Sequence, residues 1–226
     1  MTSPITGAIP WGRTLRESEL MFGFSDVDFC RRILGCADGP ASFNAELTAR
    51  GASVISCDPI YDQSAESIDI AFRNSVPAVM SRLQAAPENF VWKTYSDPEA
   101  LLEQRRKALR RFVADFPDGR GKGRYVTSAL PVLPFADGFF DLALCSHFLF
   151  LYSHVFSSDF HVASILELRR VAREVRVFPL VDMDGRESPH LPAVLETLAS
   201  RKIPFRLEKT DYQVQRNGDT RLVISE

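Results

Sequence analysis

The chain has 226 residues, 45% of them hydrophobic, and a formal net charge of −2. That is enough chain to bury a sizeable core, and the near-neutral charge lacks the surplus of Lys and Arg that a dedicated nucleic-acid binder presents. No run approaches the roughly 18 apolar residues of a membrane span, and the start, MTSPITGAIPWGR, has no basic segment followed by an apolar one, so a cytoplasmic location is expected.

In chain order, residues 1–30 lack clear periodicity apart from a short helix expected at 17–24, with Leu20, Met21 and Phe24 on one side, and they read as an N-terminal arm or lid. The first strand signal, 31–34, stops at Gly35-Cys36-Ala37-Asp38-Gly39-Pro40, a turn dense in small residues and breakers. Pro40 suits the first position of a helix, where its missing N–H would lack a partner anyway, and the helix is expected over 42–50 with a stop at Gly51. The β-branched run 53–57 predicts a second strand, ended by Asp58-Pro59, which leaves a carboxylate at its C-terminal edge.

Residues 63–116 are helical in pattern, with Val76, Val79 and Leu83 at helical spacing and breaks near Pro77, Pro87 and Pro98. The stretch is too long for a minimal crossover and is expected to be a dynamic helical insertion over one edge of the sheet, closed by a linker at 117–123. Strands resume at 124–127 and 140–145, the latter almost continuously apolar, as in strands covered on both faces. A helix over 165–172, a fifth strand over 175–181 and a helix over 191–200 follow, and then 205–214 and 221–225 flank Asn217-Gly218, a strong hairpin signal. Together these predict an α/β fold in one domain over 1–226: a mostly parallel sheet, helices on both faces, an antiparallel C-terminal hairpin. Cys30, Cys36, Cys57 and Cys145 have no CxxC spacing and read as reduced, mostly buried thiols.

In such a sheet, ligands lie outside the C-terminal ends of the strands, where strand order reverses. The first two strand ends should meet there. Gly35, Ala37 and Gly39 let the backbone approach a ligand closely, and Asp58 can accept from the two hydroxyls of a ribose. A glycine turn with a downstream acid also describes a dinucleotide site. Asp38 separates the two readings, because a pyrophosphate seeks free helix-start amides and this turn offers a carboxylate and a proline. The sulfonium and ammonium of S-adenosylmethionine instead suit nearby negative charge.

The residues Gly35 to Pro40, then Asp58, then Leu133-Pro134-Phe135-Ala136-Asp137-Gly138-Phe139-Phe140-Asp141-Leu142, resemble the successive motifs of class I S-adenosylmethionine-dependent methyltransferases. The resemblance runs from about Ile33 to the C-terminus, the insertion excepted, and implies a Rossmann-like seven-stranded sheet. It implies a cofactor site of Gly35, Cys36, Ala37, Asp38, Gly39, Asp58, Pro59, Ser128, Ala129 and Ser146, with S-adenosylhomocysteine as product. The family often has an acid near the end of its first strand, where this chain has Ile33 or Gly35, a middle glycine, here Ala37, and an acid after the third strand, here Ser128-Ala129. Asp38 and Asp26 are the candidates to stand in for the two acids. His147, Tyr152 and His154 follow the fourth strand, where the acceptor loop would begin, and are the catalytic candidates.

His147, His154 and His161 recur every seven residues among Phe150, Leu151, Phe156, Phe160 and Val162; no Cys or carboxylate completes a ligand set, so no metal is expected. The basic residues Arg105-Arg106-Lys107, Arg110-Arg111, Arg120, Lys122 and Arg124 read either as a solvated helix face or as the lining of an entrance for an anionic small-molecule acceptor. Phe90, Trp92 and Tyr95 are expected to wall the cleft when the insertion closes over it, with Arg105 or Arg106 at the entrance. Two rivals stand beside this reading: an NAD-type oxidoreductase, which Asp38 and Pro40 disfavour, and a non-catalytic cofactor- or partner-binding domain.

Overall fold

The computed structural model describes residues 9–225. Seven strands, β1 (Arg32–Cys36), β2 (Ser53–Cys57), β3 (Tyr125–Val126), β4 (Phe140–Ser146), β5 (Ala172–Phe178), β6 (Phe205–Lys209) and β7 (Thr220–Ile224), form one sheet in the order β3-β2-β1-β4-β5-β7-β6. β1 to β5 are parallel, and β7 runs antiparallel to both β5 and β6. The helices are α1 (Leu15–Phe22), α2 (Phe43–Ala49), α3 (Ala65–Ala85), α4 (Pro98–Gly121), α5 (Ser158–Val171) and α6 (Leu191–Ser200). None of them is long and apolar enough to cross a membrane.

The central strands are apolar throughout because helices cover both faces, and side chains alternate between them. Leu34, Ala143, Cys145, Val175 and Val177 join the core built with α5 and α6. Ile33, Val54, Leu142 and Leu144 join the other, built with α1 to α4. Cys36, Cys57 and Cys145 are buried free thiols, whereas Cys30 is exposed.

Tertiary contacts move several element boundaries. β1 continues through Gly35 and Cys36 instead of stopping at Leu34, because Gly35 is paired with Ser56 on one side and Leu144 on the other. Pro40 does not open α2, which begins at Phe43; the Ser42 N–H that would precede it donates to the Arg13 carbonyl. α5 starts well before residue 165, capped by the Ser157 hydroxyl, which accepts from the Phe160 N–H. β5 lies three residues earlier than expected, pairing with β4 from Phe140↔Ala172 to Ser146↔Phe178. The expected hairpin is longer than its turn signal implies. β6 ends at Lys209, and residues 210–219 leave the sheet to meet the stretch after α3, where the Val91 N–H donates to the Val214 carbonyl and the Arg216 N–H to the Asn89 carbonyl. Burial of Tyr212 and Val214 in the α1–α4 core draws them away from the sheet.

Pro77 lies inside α3 and Pro117 inside α4, so neither breaks its helix, and the linker expected at 117–123 is mostly the last turns of α4. An interior proline costs about 3 kcal/mol; in α3 the turns on either side are held by buried Phe72 and Leu83. The buried stripe of α4, Leu101, Arg105, Ala108, Phe112 and Phe116, follows the helical period. Phe112 and Phe116 stack at 4.8 Å, and both rings meet Tyr61 and Tyr125. α4 is therefore a crossover helix packed on the sheet. The stripe also splits the basic run: Arg106, Lys107, Arg110, Arg111, Arg120 and Lys122 are exposed, Arg124 pairs with Asp115 at 2.8 Å, and Arg105 is buried.

Arg105 belongs to a buried network. The capping box of α1 turns the Glu17 carboxylate back on Thr14, and the same carboxylate receives Arg105 Nη1 at 2.6 Å, the Tyr95 hydroxyl at 2.5 Å and the Tyr212 hydroxyl at 3.1 Å. Burial alone would raise the Glu17 pKa; the Arg105 guanidinium, the Thr14 N–H and the Tyr95 hydroxyl outweigh it and hold the carboxyl below its ordinary range. Burial would likewise lower the pKa of Arg105, and the Glu17 carboxylate reverses that. Glu17→Gln leaves a buried cation without its counter-charge and is expected to cost about 3–5 kcal/mol in urea unfolding, with Glu17→Gln/Arg105→Met costing less than the sum of the single changes; strictly additive costs would show the pair to be uncoupled. Amides of 101–116 are expected to exchange with deuterium as slowly as those of β1 and β4, since they share one core. Fast exchange there would instead bear out the dynamic insertion expected from the sequence.

Candidate functional site

Strand order reverses between β1 and β4, and the C-terminal ends of β1, β2 and β4 deliver the site. β1 leads into Ala37 and Gly39, both at positive φ (57° and 55°), with Asp38 between them. The Asp38 carboxylate folds back over Gly35 into the space a Cβ would need, which accounts for the glycine, and Asp38 Oδ2 accepts from the Ser56 hydroxyl at 2.6 Å. After β2, Asp58 Oδ2 accepts from the Gly39 N–H and Oδ1 from the Ile60 N–H, each at 2.9 Å. The Tyr61 hydroxyl donates to the Gly39 carbonyl at 2.8 Å, pinning the turn from below. Burial raises both acids, Asp38 to about 7 against the Ser56 hydrogen bond and with the repulsion of Asp58, and Asp58 to about 6 against its two amide donors.

The arm preceding α1 runs across these strand ends. Gly12 packs on the Pro40 backbone with no room for a side chain, the Trp11 indole N–H donates to the Ser75 hydroxyl at 2.9 Å, and the Ile9 N–H donates to the Tyr152 hydroxyl at 3.0 Å. Two cavities result. The larger, about 300 Å³, is bounded by the turn after β1, by Asp58 to Ile60, and by Ser146 to Phe148. The smaller, about 120 Å³, lies between α3, the start of α4 and the excursion 210–219. Ile9, Trp11, Arg13, His147 and Tyr152 border both.

His147 stands at that junction with φ 52°, its N–H donating to the Phe178 carbonyl at 2.7 Å and its Nδ1 buried without a hydrogen-bond partner. Burial, then the cations of Arg13 and Arg105, push its pKa well below the ordinary value, so the imidazole is neutral. Arg13 donates Nη1 to the Trp11 carbonyl at 2.7 Å, and its Nε is buried without a partner.

Of the expected cofactor residues, Ala37, Asp38, Gly39, Asp58, Pro59 and Ser146 line the larger cavity together. Gly35 and Cys36 lie beneath it within β1, and Ser128 and Ala129 are not among its walls. Asp26 cannot stand in for a missing acid: it is exposed in the turn before β1, at the opposite end of the strands. His147 and Tyr152 sit at the junction, whereas His154 is exposed and borders neither cavity. The seven-residue histidine spacing does not align the rings on one helix, because a 3-10 turn at Phe150–Tyr152 and the start of α5 at Ser158 intervene. His161 is instead buried between the Ser157 and Leu149 carbonyls, and among the described residues no three potential ligands gather to hold a metal. Phe90 lines the smaller cavity with Trp92 stacked on it, while Tyr95 is turned to Glu17 and Arg106 outward to Glu103. The residues missed from sequence are those of the arm, Ile9 to Arg13; a tryptophan and an arginine around Gly12 in a segment without periodicity were the available signal.

No family model matches the chain. An uncharacterized protein of Methanocaldococcus jannaschii, MJ0045, is 29% identical over 214 residues, 94% of each chain. Among solved structures, magnesium protoporphyrin IX methyltransferase from Synechocystis PCC 6803 with bound SAM aligns at a TM-score of 0.48 and 12% identity, over 93% of this chain and 77% of that one. A SAM-dependent methyltransferase from Aquifex aeolicus aligns at 0.44 and 11% identity, over 92% and 87% of the two chains. A TehB-like SAM-dependent methyltransferase from Corynebacterium glutamicum aligns at 0.45 and 13%, over 93% and 86%. The order and directions of its own strands, with an antiparallel β7 set between β5 and β6, give this chain the Rossmann-like fold of class I methyltransferases.

Proposed function

We propose that the chain is an S-adenosylmethionine-dependent methyltransferase acting on a small-molecule acceptor. The observation that carries this reading is Asp58, oriented at the strand switch point by the Gly39 and Ile60 amides and bordering the larger cavity. Each of its oxygens retains a lone pair for a ribose hydroxyl. The space beyond Gly39 is open, as close approach of a nucleoside requires. Asp38, Asp58 and Asp62 line the cavity against the one cation of Arg13, so above about pH 7 its net charge is negative, which suits a ligand with cationic groups and no phosphate. A pyrophosphate fits poorly: at the start of α2 the Ser42 N–H is taken by the Arg13 carbonyl, and Pro40 has none.

When bound, the cofactor supplies a methyl group activated by its sulfonium. The chain's part is to hold the reactants and exclude water. The arm roofs the cavity through Trp11 and Ile9. Neutral His147, between the two chambers, has an unpartnered Nδ1 for a hydrogen bond that orients an acceptor, and Tyr152 stands beside it.

Calorimetry with S-adenosylhomocysteine tests the reading. Asp58→Asn is expected to weaken binding by about 1.5–3 kcal/mol, roughly 10- to 150-fold, with NAD silent in both proteins. Wild-type protein that binds neither S-adenosylmethionine nor its product would sink the proposal.

The pH dependence follows from the same acids. Ribose hydroxyls favour the ionised form of Asp58, and a cationic ligand group favours that of Asp38, so the bound pKa values lie below the free values of about 6 for Asp58 and about 7 for Asp38. Binding then releases protons, and affinity is expected to rise from about pH 5 and level off above about pH 8. An affinity that falls over this range contradicts the assignment of these acids to the cofactor site.

A further inference from the structure

The smaller chamber has walls of Trp11, Leu83, Phe90, Leu151, Met183 and Val214, and its polar lining is mostly committed elsewhere. Arg105 is paired with Glu17; Arg82 bonds the Met183 carbonyl and the Asp184 carboxylate; the Gln215 amide donates to the Asp182 and Met183 carbonyls. Three groups remain, all at the end that opens on the larger chamber: Arg13, His147 and the Tyr152 hydroxyl. Among the described residues, no carboxylate pairs with Arg13, its Nε is buried without a partner, and the Tyr152 hydroxyl accepts from Ile9 with no acceptor for its own proton.

A partly buried cation without a counter-ion is costly, and an anionic ligand relieves that cost. At about 120 Å³ the chamber is close to the roughly 150 Å³ of a dry apolar cavity that takes up benzene. An occupant therefore has an apolar body of about one ring and its polar group at one end.

We infer that this chamber is a subsite for a small aromatic or comparably compact carboxylate, its ring among Leu83, Phe90 and Met183 and its carboxylate at the junction on Arg13 and the Tyr152 hydroxyl. As the acceptor subsite it rests on the methyltransferase reading above; as a carboxylate site it stands independently. The carboxylate of the cofactor's amino-acid part is the other anion that could reach Arg13, because Arg13 borders both chambers. The acceptor is favoured because a compact apolar acceptor needs a polar anchor, and its chamber offers no other uncommitted cation.

The test uses the full chain with ¹³C-methyl methionine, Met183 being the methionine that lines the chamber. Benzoate is titrated alongside benzamide as its uncharged counterpart, and S-adenosylhomocysteine binding is measured separately by calorimetry. The expected result is a saturable Met183 shift with benzoate, at least about 10-fold tighter than benzamide. Arg13→Met should abolish that preference, bringing benzoate affinity down to that of benzamide. Leu83→Trp, which fills the chamber and keeps Arg13 in the chain, should block both probes and covers the case in which Arg13→Met fails to fold. Benzoate binding no better than benzamide, or leaving Met183 unmoved, overturns the inference. So does an Arg13→Met protein that keeps benzoate and loses S-adenosylhomocysteine, which would assign Arg13 to the cofactor. Wild-type protein that binds benzoate at Met183 and does not bind S-adenosylhomocysteine upholds the subsite while removing the methyltransferase reading.

Discussion

The ion pair between Glu17 and Arg105 is the constraint from which the geometry above the sheet follows. A single carboxylate collects the first turn of α1, the middle of α4, Tyr95 from the segment between α3 and α4, and Tyr212 from the excursion between β6 and β7. These pieces are far apart in sequence and share no strand pairing. Buried ion pairs are often no more stabilising than apolar contacts of the same shape, but they are strongly directional. Here the direction matters more than the energy: the four pieces are held around one point, and the arm entering α1 is thereby aimed across the strand ends.

That aim produces two chambers in place of one open crevice. The arm crosses where the turn after β1 meets the loop after β4, Gly12 lies on Pro40, and His147 at positive φ projects its ring to the boundary. The two sides differ in chemistry. Three aspartates border the larger chamber, and apolar side chains dominate the smaller. A polar chamber and an apolar one that meet at a neutral imidazole suit a reaction between two unlike molecules.

The sheet was legible from sequence because its central strands are buried on both faces: 53–57 and 140–145 are apolar runs too short for a helix and bounded by turn residues. Errors arose where a distant partner decides a local choice. Gly35 is a strand residue because β2 and β4 flank it, and Pro77 and Pro117 are helical because packing outweighs a lost hydrogen bond. Asp58 could be read from its place between an apolar run and a proline. Arg13 and Trp11 could not, because their position depends on the contact of Gly12 with Pro40 and on Arg105, which looked like one member of a solvated basic face. The regular spacing of His154 and His161 with His147 is a periodicity that no helix realises.

β7 lies between β5 and β6 although it comes last along the chain. During synthesis, β6 has no strand to pair with until residues 220–224 have been made, since its ladder is to β7 alone. Tyr212, in the span between them, donates to Glu17 at 3.1 Å. The roof of the site is therefore assembled from the earliest described residues and nearly the last ones. Without β7, β6 has no ladder and β5 has an open edge, so the span that carries Tyr212 and Val214 to the wall of the apolar chamber is tied to the sheet at neither end.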